Sequence, residues 1–158
     1  MKYKVVPPIR DRSFIETATT SLPVVPASEA DCCGRLQADT SIESRDVARQ
    51  WITFLQALGF VTEADGKYYQ GRSPPTDLGT AFLEGVYGAQ TVVETVADSD
   101  TPLRVGEVYE AVKAIVPQYE RSRRTDWEAV WETRIARLLA WAVEFELLVS
   151  SDAGYSSP

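Results

Sequence analysis

The sequence predicts a mainly α-helical chain with short β-hairpins, arranged as two similar units joined by a long helix. Three observations lead there. Apolar side chains recur every three or four residues through several segments, the spacing that gathers them on one face of a helix. The pair Asp65-Gly66 sits between two short runs of strand-forming residues, a strong signal for a two-residue hairpin turn. The two halves also end alike, in helix, strand, turn and strand. With one constant offset Phe54 falls on Trp141, Leu58 on Phe145, Phe60 on Leu147, Asp65 on Asp152 and Tyr68 on Tyr155.

Taken in order, residues 1–8 are expected to be extended and residues 9–22 to form a first helix with Phe14, Ile15 and Leu22 inward. Leu22-Pro23-Val24-Val25-Pro26 ends it, because proline lacks an N–H and disfavours helix in the residue before it. Ser28, followed by Glu29 and Asp31, has the pattern of an N-cap with acid in the first turn, opening a short helix to about Gln37. Thr40-Ser41-Ile42-Glu43 then fits a capping box. The helix behind it carries Val47, Ala48, Trp51, Phe54, Leu55 and Leu58 in one stripe and stops at Gly59. Residues 60–63 and 67–70 are the strands of the hairpin.

Thr76 is expected to cap a long helix over residues 77–97, with Phe82, Val86, Ala89, Val93 and Val96 on one side. Residues 103–105 suit a short strand and residues 106–116 a helix ending before Pro117. Thr125-Asp126-Trp127-Glu128 is a second capping box. Its helix presents Val130, Trp131, Ile135, Leu138, Leu139, Ala142 and Phe145, and a strand, a turn at residues 151–154 and Tyr155 follow.

Helix, short helix, turn, longer helix and hairpin, over residues 9–72, resembles a winged helix-turn-helix. In that family the longer helix is the recognition helix and the hairpin is the wing. The fold expected is two winged helix-turn-helix-like units: residues 1–72, a linking helix at 73–98, and residues 99–158. The stretches Ile9-Arg10-Asp11-Arg12-Ser13-Phe14-Ile15-Glu16-Thr17, Trp51-Ile52-Thr53-Phe54-Leu55-Gln56-Ala57-Leu58, Val86-Tyr87-Gly88-Ala89 and Thr125-Asp126-Trp127-Glu128 are similar to a group of small haloarchaeal proteins. That resemblance implies a halophile origin. It transfers no activity and no binding residue.

Composition narrows the function. With 158 residues and 44% hydrophobic content the chain can bury a core, in one domain or two small ones. No stretch approaches the roughly 18 consecutive apolar residues of a membrane span, and the N-terminus lacks a signal-type apolar core, so a cytoplasmic protein is expected. The net charge of -7 argues against a general polyanion binder. Its four Lys against twelve Arg, with acid spread along the chain, fit a protein kept soluble in concentrated salt, or an ordinary acidic domain.

With no His, the commonest general base and imidazole metal ligands are missing, and no glycine-rich phosphate loop occurs. The adjacent Cys32 and Cys33 suit two small buried side chains better than a redox pair. Asp98-Ser99-Asp100 suits a solvated turn. The expectation is a non-enzyme without cofactor or metal.

Two cationic features stand out. Arg45 and Arg49 lie one turn apart near the start of the candidate recognition helix, close to Gln50. In a major groove these three would reach base edges while Lys67, Tyr69 and Arg72 of the wing touched phosphates. The alternative is that Arg49 pairs with Asp46 or Glu43 on a solvated face. The second is Arg121, Arg123 and Arg124 before a helix start, where cations need a compensating partner. Asp126, Glu128, Glu120 and Glu132 would supply it internally; a phosphate or an acidic protein surface would supply it externally. Trp51, Trp127, Trp131 and Trp141 occupy apolar helix positions and suit core packing better than base stacking, Trp127 least clearly.

Two functions are left open: a DNA-binding or transcription-regulating protein using the first unit, and an adaptor or assembly module for another protein. The expected partner is therefore double-stranded DNA or a second protein, a homodimer included, and no membrane. A small-molecule sensor is a third option that no residue selects.

Overall fold

The computed structural model describes residues 2–158; Met1 lies outside the described residues. The chain divides into two compact units, Met1–Tyr87 and Gly88–Pro158.

In the first unit the order is α1 (Ser13–Ser21), β1 (Ala27–Ser28), α2 (Glu29–Asp39), α3 (Arg45–Leu58), β2 (Val61–Ala64), β3 (Lys67–Gln70) and α4 (Leu78–Gly85). The helices enclose a core of Ile15, Ala18, Cys33, Leu36, Trp51, Phe54, Leu55 and Leu58, all at most 2% exposed. Phe14 and Phe54 meet the Trp51 ring edge-on at 5.0 and 5.8 Å, a geometry that adds about 0.5–1.5 kcal/mol per pair beyond area burial. The wing is an antiparallel sheet in the order β1-β3-β2, with Ala27 opposite Tyr68 and Tyr68 opposite Glu63. Asp65 (φ 53°) and Gly66 (φ 77°) are both left-handed, as a two-residue turn matched to strand twist requires.

The second unit runs α5 (Ala89–Ala97), α6 (Val105–Val112), a single 3-10 turn (Lys113–Ile115), α7 (Gln118–Arg123), α8 (Trp127–Glu144), β4 (Val149–Ser151) and β5 (Gly154–Ser156). Leu103 exchanges both backbone hydrogen bonds with Tyr155, at 2.9 and 2.7 Å, in the place where Ala27 faces Tyr68 in the first unit. Here the glycine at 154 is required: a Cβ would stand 2.5 Å from the Leu103 carbonyl oxygen. Each unit therefore has the winged-helix order. The second inserts the 3-10 turn and α7 ahead of its long helix.

The repeat extends to the helix ends. Phe60 N–H donates to Leu55 O and Gly59 N–H to Gln56 O; at the same offset Leu147 N–H donates to Ala142 O and Glu146 N–H to Val143 O. These are the paired bonds of a Schellman motif, which needs a left-handed residue after the helix. Gly59 supplies it at φ 94°; Glu146 must adopt φ 64° with a side chain attached.

Several elements differ from the sequence expectation. The first helix starts at Ser13, where the Asp11 carboxylate accepts the Ser13 N–H at 2.9 Å. The long helix over residues 77–97 is two helices, α4 and α5. Val86 is extended and bridges Tyr3, and Gly88 turns left-handed at φ 84°. Phe82, Val86, Ala89, Val92 and Val96 are all buried, with Val93 only half-buried, so the apolar spacing runs through a break it does not reveal. Ser44 caps α3 by accepting the Val47 N–H at 3.0 Å, whereas Thr40 closes α2 through its own N–H to Leu36 O. Asp77, not Thr76, caps α4, and its bonds from Thr80 hold its carboxyl below the usual range. Asp126 rather than Thr125 takes the cap position of α8, without a side-chain cap bond. Residues 103–105 contribute one bridge at Leu103 instead of a strand, and α6 gives way to the 3-10 turn at Lys113.

Because a left-handed conformation costs an L-residue about 1–2 kcal/mol, Glu146→Gly is expected to stabilise the second unit by up to about 1 kcal/mol. Gly59→Ala is expected to destabilise the first by at least about 1 kcal/mol. Urea unfolding of the two variants checks this; a lower midpoint for Glu146→Gly would contradict it.

Candidate nucleic-acid interface

Helix α3 turns Ala48, Trp51, Ile52, Phe54, Leu55 and Leu58 into the core, which leaves Asp46, Arg49 and Thr53 on the opposite side. Arg45 is exposed in its first turn and is in no ion pair with a described residue. Arg49 is engaged. Its Nε donates to Glu29 Oε1 at 3.0 Å, bridging α3 to α2, and its Nη1 lies 3.8 Å from Asp46 Oδ1. Of the two carboxylates the sequence suggested, Asp46 participates; the closer partner is Glu29, twenty residues away. Gln50 is half-buried.

On the wing, Lys67 and Tyr69 alternate with Tyr68 and so share one face of β3. Lys67 is exposed beside a tip that also carries Glu63 and Asp65. Tyr69 and Arg72 line a cleft with Val24, Val25 and Pro26. This cleft was not legible in sequence. Leu22-Pro23-Val24-Val25-Pro26 reads as a helix breaker, but the Pro23 and Leu22 carbonyls accept bonds from the Gln70 amide and side chain at 2.8 and 2.6 Å, leaving Val24 73% and Val25 66% exposed.

Residues 3–10 run along α3. Tyr3 N–H donates to Gly85 O at 3.0 Å and Tyr3 O accepts from Tyr87 N–H at 2.8 Å, a parallel bridge to Val86. A Cβ on Gly85 would lie 1.9 Å from the Ala57 oxygen, so this anchor sits beside the C-terminal part of α3. Val5 lines a shallow cleft with Asp46, Arg49, Gln50 and Thr53. Val6 is 1% exposed and Pro7 is buried. Pro8 and Arg10 line a further cleft with residues 41–44, Val47 and Trp51, where Arg10 Nη1 donates to Ser41 Oγ at 2.6 Å.

The second cationic cluster is largely satisfied within its own unit. The Arg121 guanidinium stacks 4.9 Å from the Trp127 ring and donates to Lys113 O at 2.7 Å. Arg124 bonds Asp126 at 3.1 Å, which holds the Asp126 carboxyl low. Arg123 is exposed on α7. Trp51, Trp131 and Trp141 are at most 2% exposed, so they pack the cores; Trp127 is half-buried under Arg121.

Reactive chemistry finds little support. Cys32 and Cys33 are buried free thiols whose pKa burial raises, so the nucleophilic thiolate is disfavoured. Among the described residues no group of three or more His, Cys, Asp or Glu is placed to hold a metal ion, and no helix is long and apolar enough to cross a membrane. A groove of about 520 Å³ beside α1 is lined by Ile15, Thr19, Phe60, Gln70, Pro75 and Leu78 among others. Among the described residues no charged or polar side chain is fully buried, and so the groove has no enclosed polar anchor.

The Arg49–Glu29 pair has side chains 50% and 40% exposed, where water screens the attraction. A double-mutant cycle with Arg49→Gln and Glu29→Gln is expected to return a coupling of no more than about 1 kcal/mol in thermal or urea unfolding. A coupling above about 2 kcal/mol would mean that Arg49 is a structural clamp.

No curated protein and no solved structure matches the chain significantly. The family described as Halobacterial double winged helix domain matches residues 1–158, and its two-unit description agrees with the two helix-and-wing units above. The chain belongs to the halobacterial double winged helix domain family.

Proposed function

We propose that the protein is a non-enzymatic DNA-binding regulator whose first unit meets the duplex through the start of α3 and the wing. The observation that carries this reading is Arg45. It is exposed in the first turn of α3, in no ion pair with a described residue, within a unit that has a complete helix-turn-helix and wing. A winged helix presents this position to base edges in the major groove, where a guanidinium bonds guanine O6 and N7. Lys67 and Arg72 are the phosphate-contacting cations, also exposed and in no ion pair with a described residue.

The charge balance sets the mode of binding. Glu43, Asp46, Glu63 and Asp65 lie on or beside the same elements and are exposed, so the surface offers little net attraction to phosphate. Affinity then depends on base contacts more than on counterion release, which suits a face working in concentrated salt. The second unit is not assigned this role. At the repeat offset Glu132 stands where the first unit has Arg45, and Glu128 is exposed one turn earlier on α8.

A protein-interaction module is the second reading, favoured by the exposed Val24 and Val25 beside Tyr69 and Arg72.

Titration with genomic duplex fragments from low to molar salt separates the two. With two cations, Lys67 and Arg72, meeting phosphates, the slope of log K against log salt is expected to be about -2 or shallower. Arg45→Glu is expected to lower affinity at least about tenfold, by loss of a bidentate base contact, and Arg49→Gln to have a smaller effect. Absence of binding at every salt at which the protein stays folded would transfer the proposal to the interaction module.

A further inference from the structure

We propose that the cleft between residues 24–26 and the end of β3 docks a short acidic segment of a partner protein, one in which a carboxylate stands beside an apolar side chain. The proposal deepens the interaction-module reading above, on which it rests, and needs no DNA. A departure from strand pairing builds the cleft. At the register that sets Ala27 opposite Tyr68, Gln70 would face Val25; its N–H donates instead to Pro23 O at 2.8 Å, and its side chain to Leu22 O at 2.6 Å. Two residues more than the ladder needs are thus looped out, which re-aims Val24 and Val25 into solvent. Among the described residues they are the most exposed large apolar side chains. Pro23 and Pro26 restrict the backbone on either side, so the valines are presented ready-made instead of being ordered on binding.

The chemistry of the wall selects the occupant. Tyr69 and Arg72 line the cleft with Val24, Val25 and Pro26, and no Asp or Glu does, in a chain whose acids outnumber its bases by 23 to 16. Arg72 is exposed and in no ion pair with a described residue, and the Tyr69 hydroxyl bonds none of them. A carboxylate meets both needs, because a guanidinium takes its two oxygens in a fork while the phenol donates to a free lone pair. An aliphatic or aromatic neighbour of that carboxylate then covers the valines. Size argues for a segment over a second folded copy: seven residues line the cleft. A standard interface between folded proteins uses about 20–30 a side. In the DNA reading Arg72 meets a phosphate; a seated carboxylate takes that cation, so segment and duplex compete for it.

The test titrates the full chain, methyl-labelled at valine, with a panel of short capped peptides that carry one acidic residue flanked by leucine or phenylalanine. The same peptides with lysine in place of the acid are the control. Acidic peptides are expected to shift the Val24 and Val25 methyls and to bind at least about tenfold more tightly than the lysine ones. Val24→Ser together with Val25→Ser is expected to weaken the tightest acidic peptide at least about tenfold, and Arg72→Glu to reverse the preference toward lysine. All three side chains are exposed, so the urea midpoints of these variants should match the unaltered protein. Equal binding of acidic and lysine peptides, or a preference that Arg72→Glu leaves unmoved, overturns the proposal. Valine shifts that appear with protein concentration alone, or with a duplex but no peptide, also overturn it and give the loop to a second copy or to DNA. Peptide shifts elsewhere with Val24 and Val25 silent overturn this cleft and leave the interaction reading standing; no shift from any peptide overturns both. Neither result touches the Arg45 reading, since the titration contains no DNA.

Discussion

The first unit depends on one close approach: Gly85 lies against the backbone of Ala57, where a Cβ would be 1.9 Å from the carbonyl oxygen and 2.9 Å from its carbon. Neither atom belongs to a side chain that could rotate aside. Helix α4 can therefore touch α3 backbone to backbone only because residue 85 is glycine. From that contact Val86 leaves the helix, becomes fully buried and pairs with Tyr3, and residues 3–10 follow along α3. One missing methyl group thus lets α4 lie against α3 just before Val86 leaves the helix to pair with Tyr3.

Charge works on the same surface in the opposite sense. Arg49, the more central of the two sequence-selected arginines, is neutralised by Glu29 and Asp46, and the wing tip carries the exposed acids Glu63 and Asp65 beside Lys67, which is in no ion pair with a described residue. Such exposed pairs contribute about 0–1 kcal/mol, too little to explain them as stabilising devices. Their larger effect is on partners: a chain of net charge -7 with a near-neutral surface around α3 and the wing gains little from phosphate alone. At molar salt, where screening acts over about 3 Å, only contacts at hydrogen-bond range distinguish one surface from another. The proposed reading assigns such a contact to Arg45, which is exposed in the first turn of α3.

Much of the fold was legible because local and global signals agreed. Ser28 caps α2, the stripe of α3 is buried except for the half-buried Val47, Asp65-Gly66 forms the wing turn, and the halves repeat down to matching helix-end bonds. What failed depended on distant atoms. Val86 and Ala89 keep helical spacing across a break dictated by Ala57 and Tyr3, and Thr40 and Ser44 are both competent caps whose choice is settled by where α2 ends. The candidate site residues were selected by type and spacing alone. Arg49's engagement with Glu29 and the course of residues 3–10 beside α3 were not legible, since neither partner lies on the same helix.

In the proposed reading the first unit, and within it the start of α3 and the wing, is the surface that meets DNA. Backbone amide chemical-shift mapping of the full chain during titration with a duplex tests it most directly. Shifts are expected at Arg45, Lys67 and Arg72, with the amides of α8 unmoved. Shifts confined to the second unit, or to Val24 and Val25 with Arg45 silent, would contradict it.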